Sequence, residues 1–384
     1  MKILLFSADY WPDPGGIAAH VYYLSRALAE AGADVTVVGG HLAPIPHPSD
    51  KPTGPGIFRE IIIQRTGPRL FRGLWFLLRS WQTLNRLASE KWGVIHYHNF
   101  LPDGLLLGLL PWPKAKIRVM TNHSSFFLRT IENKKKILIL RWLVRCIDGI
   151  IGPSQELRDK SQIISRPGQF LTYIPNGVDI HRFTPGSPTE ESYRLLKATT
   201  EQKIVLAVRR HDPKCGLHYL IQAIPKVIVR HPEAIFCLIG DGEQTNELKH
   251  LAANLNLDDM VKFLGRMSHE KLPMVLRAAY CSVLPSIYEA VSLSGLESLA
   301  CGIPVVGTKV GGIPEFIKPN QTGILVEPYS ADELAEGLNY ILSHPEERDK
   351  MAAISRQFVM EHFSWESIAE QTLAFYHSLL LDKK

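Results

Sequence analysis

No apolar run in this 384-residue chain is long enough to cross a bilayer. The longest candidates, around Leu74–Leu78 and Ile137–Val144, are short and contain or adjoin arginine, whereas a span needs about 20 residues. The first six residues, Met1-Lys2-Ile3-Leu4-Leu5-Phe6, make one strand and lack a signal-peptide apolar region and cleavage site. Export is not expected, and the reading is cytoplasmic. Cysteine is scarce: Cys146, Cys215, Cys237, Cys281 and Cys301 are odd in number and show no CxxC or CxxH spacing. That excludes a disulfide framework and a sequence-local zinc site and fits reduced thiols. A GxGxxG fingerprint is absent, so a dinucleotide site is not supported. No Asp-x-Asp pair, short repeat or low-complexity segment occurs.

What is present is globular. The chain is 45% hydrophobic and 21% charged, and its length suits two domains of roughly 150–200 residues each. The net charge of +5 is unevenly spread. Residues 1–176 hold 22 Lys/Arg against 12 Asp/Glu, and residues 177–384 hold 21 against 26. A basic first half beside an acidic second half points to an anionic partner for the first.

Residues 2–6 read as a buried strand, Ile17–Ala31 as a helix stopped by Gly32, and Val35–Val38 as the next strand. Short apolar runs at Val94–Tyr97, Ile117–Met120, Gly149–Ile151 and Phe170–Ile174 continue the parallel α/β pattern. A loop-like stretch through 175–190 follows, with a helix predicted at 190–199. Strand and helix then alternate afresh from Ile204–Val208 to Gly323–Val326, and 331–382 reads as consecutive helices. Ligands bind at the carboxyl ends of such sheets, which predicts a cleft between the two domains.

The most informative segment runs from Glu289 to Val306, after a strand ending in Leu284-Pro285-Ser286. It carries two glutamates eight residues apart, Glu289 in a loop and Glu297 in the following helix. The loop and helix start, Val291-Ser292-Leu293, can turn backbone N–H groups toward a phosphate. A carboxylate can accept two hydrogen bonds from a vicinal diol. Two surface acids near a helix start would look the same. In the first half, Gly15-Gly16 opens a helix after a strand, either as a plain turn or as backbone facing a ligand. His96, His98 and His123 close two strands. Metal binding is one reading of His96 and His98, which share a strand face, but no cysteine or acidic cluster accompanies them.

The stretch Glu, seven residues, Glu, then Ala300-Cys301-Gly302-Ile303-Pro304-Val305, resembles the signature of the family 4 retaining glycosyltransferases of the two-domain GT-B type. Ile174-Pro175-Asn176-Gly177-Val178-Asp179, Ile239-Gly240-Asp241-Gly242-Glu243, Val310-Gly311-Gly312-Ile313-Pro314-Glu315 and Phe363-Ser364-Trp365 resemble further family segments in the right order, over nearly the whole chain. The resemblance implies an α/β GT-B fold of two Rossmann-like parallel-sheet domains facing across a cleft. It gives domains of 1–176 and 177–364, with a last helix at about 365–382 packing back on the first. Position by position it implies that Glu297 binds the donor ribose, Glu289 the hydroxyls of the transferred sugar, and Arg210 the diphosphate. His123 would position the reacting sugar, and Gly15 and Gly16 would face the donor phosphate or the acceptor. The family's Lys-Gly pair falls on Cys215-Gly216, which displaces the lysine to Lys214. Ala290-Val291-Ser292 stands where many members read Gly-Phe-Gly. The mechanism implied is retention by front-face attack, with cations stabilising the leaving diphosphate.

The resemblance implies a nucleotide-diphosphate sugar as donor, with a UDP-sugar favoured and GDP-mannose the alternative, and a glycan, lipid-linked or small-molecule acceptor. No cofactor and no metal are expected. Segment 68–92 interleaves Arg69, Arg72, Arg79 and Arg86 with Trp75, Phe76, Trp81 and Trp92, and 134–146 adds Lys134–Lys136, Arg141, Trp142 and Arg145. That pattern suits either a core helix with a basic outer face or peripheral contact with the inner face of a membrane. No nucleic-acid module is present. The rival readings are a sugar-nucleotide epimerase on the same fold, a phosphorylase, for which no cofactor-binding lysine is found, and a degenerate sugar-nucleotide-binding protein.

Overall fold

The computed structural model describes residues 1–11, 16–41, 52, 54–64, 72–98, 100, 113–123, 127 and 130–383, with residues 72–74 described by backbone only. They form two compact units, Met1–Gly177 with Trp365–Lys384, and Val178–Ser364. Gly15 and residues 69–71 lie outside the described residues.

The first unit is built on seven parallel strands: β1 (Lys2–Ser7), β2 (Asp34–His41), β3 (Phe58–Gln64), β4 (Trp92–His98), β5 (Ala115–Thr121), β6 (Gly149–Gly152) and β7 (Phe170–Tyr173), in the order β3-β2-β1-β4-β5-β6-β7. The inner strands are buried nearly throughout, as expected where helices cover both faces of a parallel sheet. β3 is not announced by the sequence. It is the edge strand, its Phe-Arg-Glu-Ile-Ile-Ile-Gln is mostly part-exposed, and charges on an edge hide the continuous apolar run that marks an inner strand. Around the sheet lie α1 (Gly16–Glu30), α2 (Arg72–Leu87), α3 (Lys134–Leu143) and α4 (Gln155–Ser161). The C-terminal helix Trp365–Asp382 completes this unit. Its Trp365, Ile368, Ala369, Tyr376 and Leu379 share one apolar cluster with Val21, Leu24 and Leu28 of α1.

The second unit has six parallel strands: β8 (Lys203–Val208), β9 (Ala234–Ile239), β10 (Val261–Gly265), β11 (Cys281–Leu284), β12 (Val305–Thr308) and β13 (Gly323–Val326), in the order β10-β9-β8-β11-β12-β13. The helices α5 (Glu190–Leu196), α6 (Leu217–Ile228), α7 (Thr245–Asn254), α8 (Leu272–Arg277) and α9 (Leu293–Ala300) precede or connect them. α6 buries Leu217, Leu220, Ile221, Ile224 and Val227, the 3.6-residue stripe of a helix laid on a sheet. α5 is shorter than its predicted 190–199 because Lys197 adopts φ 53° and ends it.

In both sheets the strand order changes direction beside the first strand, at β1/β4 and at β8/β11. A crevice opens there at the carboxyl ends, so both switch points are where a ligand site is expected. Among the described residues no helix is long and apolar enough to cross a membrane.

Candidate functional site

At the β8/β11 switch point the chain leaves β8 as Arg209-Arg210 and leaves β11 as Pro285-Ser286. Arg209 turns inward. Its Nη2 forms an ion pair with Glu289 and donates to Ser286 Oγ at 2.8 Å, and its Nη1 donates to Ser292 Oγ at 3.2 Å. The Arg209 and Glu289 side chains are only 9% and 16% exposed. Burial, the largest single influence, acts to lower the guanidinium's pKa, but Glu289 and Cys215 together outweigh it and the net displacement is upward. Arg210, the position matched to the diphosphate-binding arginine, instead faces solvent. It and the half-buried Lys214 carry cations with no side-chain partner among the described residues. Adjacent residues leaving a strand point to opposite sides, so an Arg-Arg pair divides naturally into one buried and one open guanidinium.

The Glu289 loop is clamped from two directions. The Lys214 carbonyl accepts from the N–H groups of Ile287 (2.8 Å) and Tyr288 (3.2 Å), while Gly312 N–H donates to the Ala290 carbonyl at 3.2 Å. These approaches require glycine on the opposing strand ends. Gly216 (φ +65°) and Gly311 (φ +52°) would place a Cβ at 1.9 Å from Pro285 O and 1.5 Å from Glu289 O. Val291 is half-buried, and Ser292 is buried as the N-cap of α9, accepting from Gly295 N–H. Leu293 begins the helix. The segment therefore fixes a carboxylate and a helix N-terminus in one short turn.

Glu297 lies one turn further along α9, 8% exposed. Its Oε1 accepts from His269 Nε2 at 2.7 Å. His269 sits in the loop after β10, its ring 5.2 Å from that of Phe183. Nothing in the sequence singles out this histidine, because its partner is 28 residues away.

The matching edge of the first unit is built differently. His98 and His123, at the ends of β4 and β5, face each other with Nδ1 of His98 3.1 Å from Nε2 of His123. His20, from α1, lies edge-on to both, with ring centroids 5.4 Å and 4.5 Å away. His96 is held between Tyr376 Oη (2.6 Å) and Thr121 Oγ1 (2.7 Å). Burial lowers the pKa of all four: His20 to about 4, His96 to about 3, and His98 and His123 well below the usual range, the last three also depressed by neighbouring histidines. They are neutral imidazoles at neutral pH. Among the described residues neither ring nitrogen of His20 has a partner at full hydrogen-bond geometry, Asn176 lying near enough only to raise its pKa slightly, and Nε2 of His98 has none. Gly16, exposed, begins the helix that carries His20.

His20, His98 and His123 form the group among the described residues whose ligand atoms could hold a metal ion, all within 4.8 Å of one another. Periodicity gave only the helix Ile17–Ala31, on which His20 is buried, and no hint of the trio.

Two outer helices of this unit expose large apolar side chains: Trp75 (50%), Leu78 and Trp81 on α2, and Leu138 (64%), Ile139 and Trp142 on α3. Arg79 and Arg86 on α2, and Lys134, Lys135 and Lys136 on α3, are exposed beside them.

Comparison with known proteins gives concordant matches. The family model described as Glycosyltransferase Family 4 matches residues 14–182, and that described as Glycosyl transferases group 1 matches residues 189–358. Glycogen synthase of Mycobacterium tuberculosis is 28% identical over 98% of this chain and 94% of its own. A solved structure, sucrose-phosphate synthase from Thermosynechococcus elongatus, superposes with a TM-score of 0.81 at 25% identity over the full length of both chains. Anabaena Alr3699/HepE in complex with UDP-glucose superposes with a TM-score of 0.76 at 19% identity, over 98% of this chain and 100% of that one.

Proposed function

The chain belongs to the family 4 glycosyltransferases, and from that premise we propose that it moves a hexosyl unit from a UDP-sugar to a lipid-linked acceptor with retention of anomeric configuration. The observation that carries the donor half is the division of charge at the β8/β11 edge. Arg209 is nearly buried and paired with Glu289, which fixes that carboxylate in place. Arg210 and Lys214 keep unpaired cations beside it. A diphosphate leaving group needs such cations as its charge develops, and a sugar's hydroxyls need a fixed acceptor. Glu289 is assigned the transferred sugar, Glu297 the ribose, and Arg210 with Lys214 the diphosphate, with the N–H groups at Ser292 and Leu293 at the start of α9 adding to the last. His123, neutral, carries the sugar-positioning role that the family resemblance implies. The UDP-glucose held by the Anabaena neighbour supports a UDP-sugar over GDP-mannose. No metal enters this scheme.

The acceptor half rests on the exposed Trp75, Trp81 and Trp142 set among lysines and arginines. Tryptophan beside basic residues suits the headgroup region of an anionic membrane. Co-sedimentation with phosphatidylglycerol vesicles but not phosphatidylcholine vesicles, lost in Trp75→Ala/Trp81→Ala, is the expected result.

A thermal-shift panel of UDP, GDP, ADP and NAD tests the donor half. UDP at about 100 times its Kd stabilises by about 2.7 kcal/mol, enough to move Tm by several degrees. A response to NAD alone, or to none of the four, overturns the donor assignment. The anomeric configuration of the product, read by proton NMR, decides retention.

A further inference from the structure

We propose that His269 is a positioning residue for donor binding, acting through Glu297 to make this protein read ribose hydroxyls. The inference deepens the donor-site reading and rests on it. Glu297 is a nearly buried carboxylate on α9, and such a group is held only where something satisfies it. No lysine or arginine does so. His269 supplies a single bond at 2.7 Å to Oε1, and Oε2 is left without a bond among the described residues.

That arrangement has two consequences. A carboxylate only accepts, so Nε2 of His269 carries the proton. Its Nδ1 is buried with no partner among the described residues. The ring thus donates to Glu297 through Nε2 alone, its far side packed against Phe183. Anchoring Oε1 also stops rotation of the carboxylate, so Oε2 and the remaining lone pair of Oε1 present a two-point acceptor. A vicinal diol, with two hydroxyls on adjacent carbons, matches that acceptor; a phosphate, itself an acceptor, does not. An arginine in place of His269 would have taken both oxygens and left nothing for a ligand. The single-donor partner holds the carboxylate and keeps it available.

The test compares UDP with 2′,3′-dideoxy-UDP, and GDP with its dideoxy counterpart, by calorimetry on the full chain. Wild type is expected to prefer the diol-bearing nucleotide by at least about tenfold, the worth of one hydrogen bond to a charged group. His269→Phe fills the volume against Phe183 but donates nothing. It is expected to lose most of that preference, with the dideoxy Kd little changed and the KM for the sugar nucleotide raised more than kcat is lowered. His269→Gln, which keeps an N–H donor, is expected to restore much of it. Wild-type preference persisting in full in His269→Phe overturns the inference and leaves the donor reading standing. Wild type binding neither nucleotide, or both members of each pair equally, overturns the donor reading and the inference with it.

Discussion

The two sheet edges solve one problem in opposite ways. Each crowds polar side chains into a switch point where water is scarce. The second unit keeps its groups charged and joins them, Arg209 to Glu289 with two serines sharing the guanidinium. The first unit gives up charge, leaving four neutral imidazoles, two of which keep ring nitrogens without partners among the described residues. A paired edge is expensive to break by mutation. An uncharged edge tolerates truncation better but fails when protons are supplied.

The sharpest way to break the contrast is Glu289→Ala. It strands a buried guanidinium, a change that costs about 3–5 kcal/mol, and removes a proposed sugar contact. Urea unfolding is expected to show a loss of that order, and transfer activity a fall of at least about 100-fold. Arg209→Ala/Glu289→Ala should recover part of the stability and none of the activity. If Glu289→Ala alone is as stable as wild type, the pair is not holding the loop.

Acid is the complementary test. The four histidines have folded pKa values depressed below the unfolded value of about 6.5. The unfolded chain therefore binds more protons as pH falls, so stability is full above about 6.5 and declines toward about 4 for His20, by up to about 1.4 kcal/mol per pH unit for each group. Hydrogen exchange at pH 5 against pH 7.5, corrected for intrinsic rates, is expected to show β1, β4 and β5 losing more protection than β8 and β11, where His211 alone at the end of β8 is a buried histidine with a lowered pKa. Equal losses in both sheets would remove the distinction.

Ser292→Ala is milder. It deletes the α9 N-cap and one Arg209 contact, and about 1 kcal/mol is expected in thermal unfolding. The smallest effect is that of a chelator. Transfer in excess EDTA is expected to match the untreated rate within error, and a clear loss would turn attention to His20, His98 and His123.

How much of this was legible in the sequence depended on whether the signal was local. The strands of the second unit were, because β9 is an unbroken apolar run and β11 a short buried one broken only by Ser282, between helices with a clear stripe. The two glutamates were, because strand end, loop and helix start lie within a few residues. The edge strand β3 was not, since its charges break the run. The orientation of Arg209 over Arg210 was not: neighbours of one type cannot be told apart by spacing, and only the register of β8 decides which turns inward. His269 and His20 escaped for another reason. Each acquires its role from a partner that the fold, not the chain, brings near.

The final helix has a consequence for how the protein is made. Trp365, Ile368 and Tyr376 fill the core of a unit whose other residues are all translated before Val178. On the ribosome the first unit emerges with a gap in its interior and waits for that last segment, while the second unit, Val178–Ser364, is synthesised whole. Domains ordinarily fold in order of emergence; here the earlier-born one is finished last.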